Sequence, residues 1–261
     1  MTPAVDLRKY VDYIIEVSKQ PLEKPLNIKK ITKSLNVKTN YFDSKKLDEE
    51  EKNIRGMLDY CNKTIHIRKE EYEPRMRFTF AHEIAHYILP HHVKHFSSCF
   101  KKCTEDDLKL STDNSFEIEA NHFAAELLFK GSYINKLYEL QSIVDFEMIE
   151  RVSLASDVSF EATSRHLIGN SPTQQILFIY NKEHPEKQPS VVCSTMISNE
   201  LGMSVFKPFF AEKMSAIEKD NFSMEAFIFD DMKIGVDINC TQNDFKRSYI
   251  MTVKKIRTII E

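Results

Sequence analysis

The sequence has 261 residues, 42% hydrophobic and 29% charged, with 36 Lys and Arg against 39 Asp and Glu, a formal net charge of −3. That length supports one large domain or two modest ones with a sizeable core, and the near-neutral balance argues against bulk electrostatic binding to nucleic acid or an anionic membrane. No apolar run approaches the ~20 residues of a membrane helix, and the charges at Asp6, Arg8, Lys9 and Asp12 argue against a signal peptide, so a cytoplasmic protein is expected.

Residues 4–18 place Ala4, Leu7, Val11, Ile14 and Ile15 on one stripe and predict an amphipathic helix, interrupted by Pro21 and Pro25. A second short helix is expected over about 28–35, then a strand at 37–42 and a solvated acidic loop at 48–51. The pieces GMLDY (56–60) and TIHIR (64–68) flank Cys61-Asn62-Lys63 and predict a hairpin with Asn62 in the turn. If TIHIR lies at an open sheet edge, it could pair with an extended peptide.

From Arg75 to Leu89 the pattern is helical and Pro90 ends it; residues 91–115 read as polar and irregular. A further helix is expected over about 116–130, with Gly131 as its C-cap. Helical pieces continue to about 168, and Gly169-Asn170-Ser171-Pro172 makes a break. The strand-like runs 176–180, 190–197, 224–230 and 233–240 follow. The expectation is an α+β chain: a helix-rich domain over 1–170 with a small sheet, then a smaller α+β domain over 171–261.

Chemistry concentrates in RFTFAHEIAHYILPHH, where His82-Glu83-Ile84-Ala85-His86 forms H-E-x-x-H. Histidines at i and i+4 share a helix face and can bind one zinc, with Glu83 beside the open coordination position as general base. With 9 histidines in the chain, chance yields roughly 0.03 such matches. Phe78, Ala81, Ala85, Ile88 and Leu89 form one apolar flank of this helix, and Phe80, Ile84 and Tyr87 a second. A polar strip of Thr79, His82, Glu83 and His86 between two apolar flanks needs buried partners, which a metal would supply.

A catalytic zinc usually takes a third protein ligand. In FEIEANHFAAELLF, helical geometry puts Glu117 inside the apolar stripe of Phe116, Ala120, Phe123, Ala124, Leu127 and Leu128. Glu119 and Glu126 point away, and Asn121 lies one turn after Glu117. Glu117 is therefore favoured as the ligand over Glu119, with Asn121 as an orienting amide. The competing reading of Glu117 is a first-turn acid on the helix dipole, with Asn114 as cap.

RFTFAHEIAHYIL followed some thirty residues later by EIEANHFAAELL resembles the ImmA/IrrE family of bacterial metallopeptidases. The hairpin before the first segment is similar too. So is Val158-Ser159-Phe160-Glu161-Ala162-Thr163-Ser164-Arg165-His166-Leu167, although His166 stands where the family has Arg. The resemblance covers about residues 25–170. It implies a fold similar to the zincin core, a glutamate third ligand on a following helix, and an endopeptidase that cleaves a helix-turn-helix transcriptional repressor. In that family the genes often belong to mobile elements, prophages or DNA-damage responses. A second electrophile is unassigned among Tyr87, His122 and Tyr133.

The chain has 5 Gly and neither a GxGxxG nor a GxxxxGK[ST] motif, which removes the usual anchors of nucleotide binding. Five cysteines (Cys61, Cys99, Cys103, Cys193, Cys240) are odd and sparse, so reduced thiols are expected. His91, His92, His95, Cys99 and Cys103 cluster without an established zinc spacing and read as a polar flap more readily than as a second metal site. Residues 149–170 could form two helices around Asp157-Val158-Ser159, but Asp157, Glu150 and Glu161 beside Arg151 and Arg165 give no basic recognition face. The Lys-rich stretches 24–33 and 245–257 read as solvated faces. No sequence-specific DNA binding is expected. The alternative to an enzyme is a zinc-containing regulatory or toxin-like module that docks on a partner regulator without proteolysis.

Overall fold

Two short helices and a strand open the fold, each bounded by its own local chemistry. In this computed structural model, α1 (Leu7–Val17) buries Val11 and Ile14, and α2 (Ile28–Leu35) buries Ile31. Asn27 caps α2 by accepting from Lys30 N–H, and Asn36 ends it at φ 52°, a left-handed conformation that Asn tolerates. The structure describes residues 6–21, 23–43, 45, 47–69, 72–96, 99–108, 113–173, 175–179, 190–194, 221–229, 232–243 and 248–259. Ala4, Tyr180, Asp230, residues 195–197 and residues 245–247 of the expected elements lie outside them.

The first sheet has the order β1-β3-β2-β4, from β1 (Lys38–Phe42), β2 (Ile54–Asp59), β3 (Thr64–Arg68) and β4 (Phe100–Thr104). β1 runs parallel to β3, and β2 is antiparallel to both β3 and β4. The expected hairpin is present, with Lys63 at φ 51° in its turn. TIHIR, however, lies inside the sheet, because β1 covers the side that the local pattern left open; β1 and β4 are the edges.

Leu58, Ile65 and Ile67 alternate onto one face and meet α3 (Glu73–Ile88), which buries every residue from Thr79 to His86. The doubly apolar helix thus has both flanks covered: Phe80, Ala81, Ile84 and Ala85 join Ala120, Phe123, Ala124 and Leu127 of α5 (Ser115–Phe129) in one core. Fully burying a Phe, Leu or Ile contributes about 1.5–3 kcal/mol, so this layer is the main support of the site.

Residues 91–115 are more regular than expected. Pro90 starts a new helix, α4 (Pro90–His95), since a proline at the first helical position loses no hydrogen bond. β4 follows; its lysines suit an edge strand and hide its alternation. The acidic run forms a one-turn 3-10 helix at Glu49–Glu51.

Gly131 is not the C-cap of α5. Lys130 takes the left-handed position at φ 49°, its buried ammonium donating to the Lys24 carbonyl at 2.5 Å. Gly131 instead begins α6 (Gly131–Leu140), where a Cβ would come within 2.4 Å of Glu126 Oε2.

The thiol expectation also changes. The turn after β2 meets the start of β4, where Tyr60 N–H donates to the Cys99 carbonyl at 2.8 Å, and Cys61 and Cys99 form a disulfide. Cysteine count carries no information about such proximity. Cys103 is free and buried.

The chain divides into two compact units, Met1–Ile134 with Leu154–Val158, and Asn135–Ser153 with Ser159–Glu261. α7 (Phe146–Ser156) and α8 (Phe160–Gly169) flank Asp157, whose φ is 50° and whose carboxylate pairs with Arg77. The second unit carries an antiparallel sheet of order β6-β5-β9-β8-β7, built from β5 (Gln175–Ile179), β6 (Ser190–Cys193), β7 (Asn221–Phe229), β8 (Met232–Asn243) and β9 (Ser248–Ile259). Among the described residues, no helix is long and apolar enough to cross a membrane.

Candidate metal centre

On α3, His82 and His86 stand one turn apart on the face that meets α5, and both are fully buried. Glu117 enters from the first turn of α5, where Asn114 caps the helix by accepting from Phe116 N–H. Three atoms converge: His82 Nε2 and His86 Nε2 lie 3.1 Å apart, and Glu117 Oε2 lies 3.1 and 3.2 Å from them. Atoms bound to one tetrahedral zinc at its ordinary bond lengths stand roughly 3.3 Å apart.

Proton placement sharpens the fit. Asn121 Nδ2 donates to the Asp107 carbonyl at 2.9 Å, so its Oδ1 is the atom 2.9 Å from His82 Nδ1 and must accept. His82 then carries its proton on Nδ1, and the Nε2 lone pair faces the shared point. The His82 lone pair and the Glu117 oxygen, both close to His86 Nε2, suit a shared cation, and a His₂Glu donor set is of the kind that binds divalent metals such as zinc.

His86 is oriented by a residue outside the expected site. Its Nδ1 lies 2.9 Å from His92 Nδ1, and His92 Nε2 lies 3.2 Å from Glu119 Oε2. With the His86 Nε2 lone pair turned to the shared point, its Nδ1–H donates to His92, and His92 Nε2–H donates to Glu119. Glu119 is thus two hydrogen bonds away from the cluster. Burial keeps the His92 imidazole below its ordinary pKa, in the neutral form this chain needs.

His91, His92 and Glu119 form a second group of metal-ligand type, with His91 Nε2 2.6 Å from Glu119 Oε2. A proton on His92 Nε2 removes that atom as a ligand whenever His86 holds a metal. The polar-flap reading of this segment therefore fits the geometry better than a second zinc.

Electrostatics separate the two glutamates. Burial would raise Glu117, but His82, His86 and the Lys101 ammonium, 2.8 Å from Oε1, together hold its carboxyl far below the usual range. Burial pushes His86 down to about 3. Glu83, fully buried, is pushed up to about 7 by desolvation, with His82 the strongest opposing influence. The buried Glu83 carboxylate meets no nitrogen or oxygen donor, and its one hydrogen-bonding neighbour among the described residues is the Cys103 thiol.

Room for Glu83 comes from Gly56 on β2, where a Cβ would lie 2.3 Å from Glu83 Oε1 and 2.8 Å from Thr79 Cγ2. Gly56→Ala should therefore displace the carboxylate while leaving the three convergent atoms in place. Where Glu83 serves as a general base, kcat/KM for that reaction should fall about 100-fold at unchanged metal content, since a misplacement near 1 Å costs about that much.

Of the expected site residues, the structure brings together His82, His86 and Glu117, bonds Asn121 to His82 and sets Glu83 alongside. Tyr87, His122 and Tyr133 make none of the described hydrogen bonds of the cluster; His122 is exposed beside Glu126. Lys101 and Cys103, both facing the cluster from β4, were not anticipated as partners of it. Their i, i+2 spacing is the signal that marks a shared strand face.

The sequence model of the Peptidase_M78 family, the IrrE N-terminal-like domain, matches residues 32–167 and so spans the whole cluster. The chain belongs to this family. Its M78 domain is an α+β fold with a helix-rich core on a small four-stranded sheet. A solved structure described as a Mycobacterium tuberculosis transcriptional regulator is similar in fold, with a TM-score of 0.50 and 12% identity over 97% of this chain and 88% of the other. No curated protein matches the M78 chain.

Proposed function

We propose that this M78 chain is a zinc-dependent endopeptidase that cleaves a helix-turn-helix (XRE-type) transcriptional repressor in the cytoplasm, relieving repression in a stress, prophage or mobile-element response. The observation that carries the reading is the convergence of His82 Nε2, His86 Nε2 and Glu117 Oε2 within 3.1–3.2 Å of one another, with Glu83 buried alongside. His82, His86 and Glu117 hold the zinc. When bound, it supplies Lewis acidity to the scissile carbonyl and the attacking water.

The chain's own groups do the rest. Asn121 and His92 fix the two imidazole tautomers, and Lys101 occupies Glu117 Oε1 so that Oε2 stays turned inward. Glu83 takes a proton from the attacking water and returns it to the leaving amine nitrogen. Burial raises this carboxyl, to about 7 in the metal-free chain, which suits a group that must both take and return a proton. β4, as a sheet edge, can accept an extended peptide by strand addition.

The test is incubation of the purified, zinc-loaded protein with an XRE-type repressor. One defined cut is expected, lost on treatment with a chelator and restored by zinc. Because Glu83 acts in its ionised form, kcat/KM should rise with pH and level off, with its inflection below the metal-free value of about 7, since the zinc dication favours the carboxylate. A fully loaded protein that leaves the repressor intact overturns the peptidase reading. The second reading, a zinc-holding regulatory or toxin-like module that docks without cutting, has one observation on its side: His82, Glu83, His86 and Glu117 are all fully buried, so no peptide reaches them in this conformation.

A further inference from the structure

The reaction outlined above leaves one buried group beside the site without a role. Cys103 is a free, fully buried thiol on β4, directly opposite Gly56 in the β2–β4 register. Its Sγ belongs to one group with the ligand atoms of His82, His86 and Glu117, all four within 4.8 Å of one another. Glu83 lies in the gap that Gly56 leaves, buried away from any nitrogen or oxygen donor, with the Cys103 thiol as its hydrogen-bonding neighbour. The thiol and the base therefore share the space on the side of the cluster where the fourth coordination position must open.

Resting on the reading of this cluster as a zinc centre, we propose that Cys103 is a fourth metal ligand, and that its sulfur holds the enzyme latent by filling the position that catalysis requires. Three nitrogen and oxygen ligands near 2.0 Å and a thiolate near 2.3 Å from zinc stand roughly 3.3–3.6 Å apart, so closing the observed group needs a shift of about 1 Å. The balance is simple. The S–H bond breaks, its proton passes to the Glu83 carboxylate, and the sulfur lone pair forms the bond to the metal. Nothing is oxidised or reduced. The same step protonates Glu83, so the base and the open position are lost together.

Two further features suit this arrangement. A thiolate is a softer and stronger zinc ligand than water, so the sulfur-bound state persists until the strand moves. β4 is an edge strand paired to the sheet through β2 alone and anchored at its start by the Cys61–Cys99 disulfide, so the end that carries Cys103 is the part placed to move. Strand addition by a substrate at that edge would draw Cys103 away from the cluster and expose it at once to metal and base. The complete burial of the four cluster residues is then the mark of the latent state.

The experiment loads the full-length chain with Co²⁺ in place of zinc and records its absorption spectrum. Wild type should show a sulfur-to-cobalt charge-transfer band in the near ultraviolet at one Co²⁺ per chain. Cys103→Ser should keep the metal and lose the band, whereas Cys193→Ser and Cys240→Ser should keep both. Zinc-loaded Cys103→Ala should also cleave the XRE-type repressor at least about 10-fold faster than wild type. Bound Co²⁺ without a thiolate band in wild type overturns the role of Cys103 and leaves the peptidase reading standing. Failure of wild type to bind Co²⁺ at all overturns both. If the cysteine variants fold poorly, X-ray absorption at the zinc edge of the wild type gives the same answer: one Zn–S distance near 2.3 Å is expected, and a shell of nitrogen and oxygen alone counts against it.

Discussion

Glu83→Gln should leave the protein zinc-loaded and slow repressor cleavage by about 10²–10⁴-fold, the usual contribution of a positioned general base. Glutamine matches glutamate in shape and fits the gap over Gly56, so the substitution removes proton transfer and little else. The three convergent atoms belong to other residues, and elemental analysis should return the wild-type zinc content. Stability gives an independent check with a definite sign. Burial raises the folded-state carboxyl from 4.5 to about 7, so the folded chain binds more protons than the unfolded one between those values. The metal-free wild type therefore loses stability as pH rises through that window, by roughly 3 kcal/mol in all, and the glutamine variant does not. Denaturant midpoints of the two metal-free proteins should nearly coincide at pH 4 and separate in favour of the variant by pH 8. Coincidence at both pH values would mean that Glu83 is not the buried, raised carboxyl described above.

The site was legible in the sequence where a residue's own element dictates its surroundings. His82, Glu83 and His86 could be placed because their helix is apolar on two flanks, so its one polar strip had to face something buried. Glu117 could be preferred to Glu119 because the apolar stripe of the next helix runs through the first and not the second. What the sequence concealed depends on elements far apart in the chain. Lys101 and Cys103 lie on an edge strand whose lysines mask its alternation. Cys61 and Cys99 meet only because the β2–β3 turn packs beside the start of β4. TIHIR reads as a possible edge because nothing local announces that β1 will pair with it in parallel. His92 sits beyond Pro90, and its link to His86 requires a second helix that the proline itself starts. Gly56, finally, is one glycine in a strand, and its purpose shows only when the Glu83 carboxylate is seen above it.

Glu117→Ala should abolish stoichiometric zinc binding, while Glu119→Ala should keep one zinc per chain with affinity lowered about 10–100-fold. The first change deletes one of three convergent atoms and leaves two imidazole lone pairs facing each other across 3.1 Å. The second acts through a chain of hydrogen bonds. Without Glu119, His92 Nε2–H loses its acceptor, and His92 is free to turn its proton toward His86. Loss of such an outer partner typically weakens a metal site by the stated factor. Competition with a chelator of known affinity, followed by elemental analysis, separates the two outcomes; the reverse result would make Glu119 the ligand. One complication has to be removed. Lys101 is only 13% exposed and stands 2.8 Å from Glu117 Oε1, so Glu117→Ala also strands a buried ammonium, which costs stability. The double variant Glu117→Ala, Lys101→Met removes that charge and should recover much of the lost thermal stability. It should still bind no zinc, because the missing oxygen and not the stranded lysine is what the metal needs.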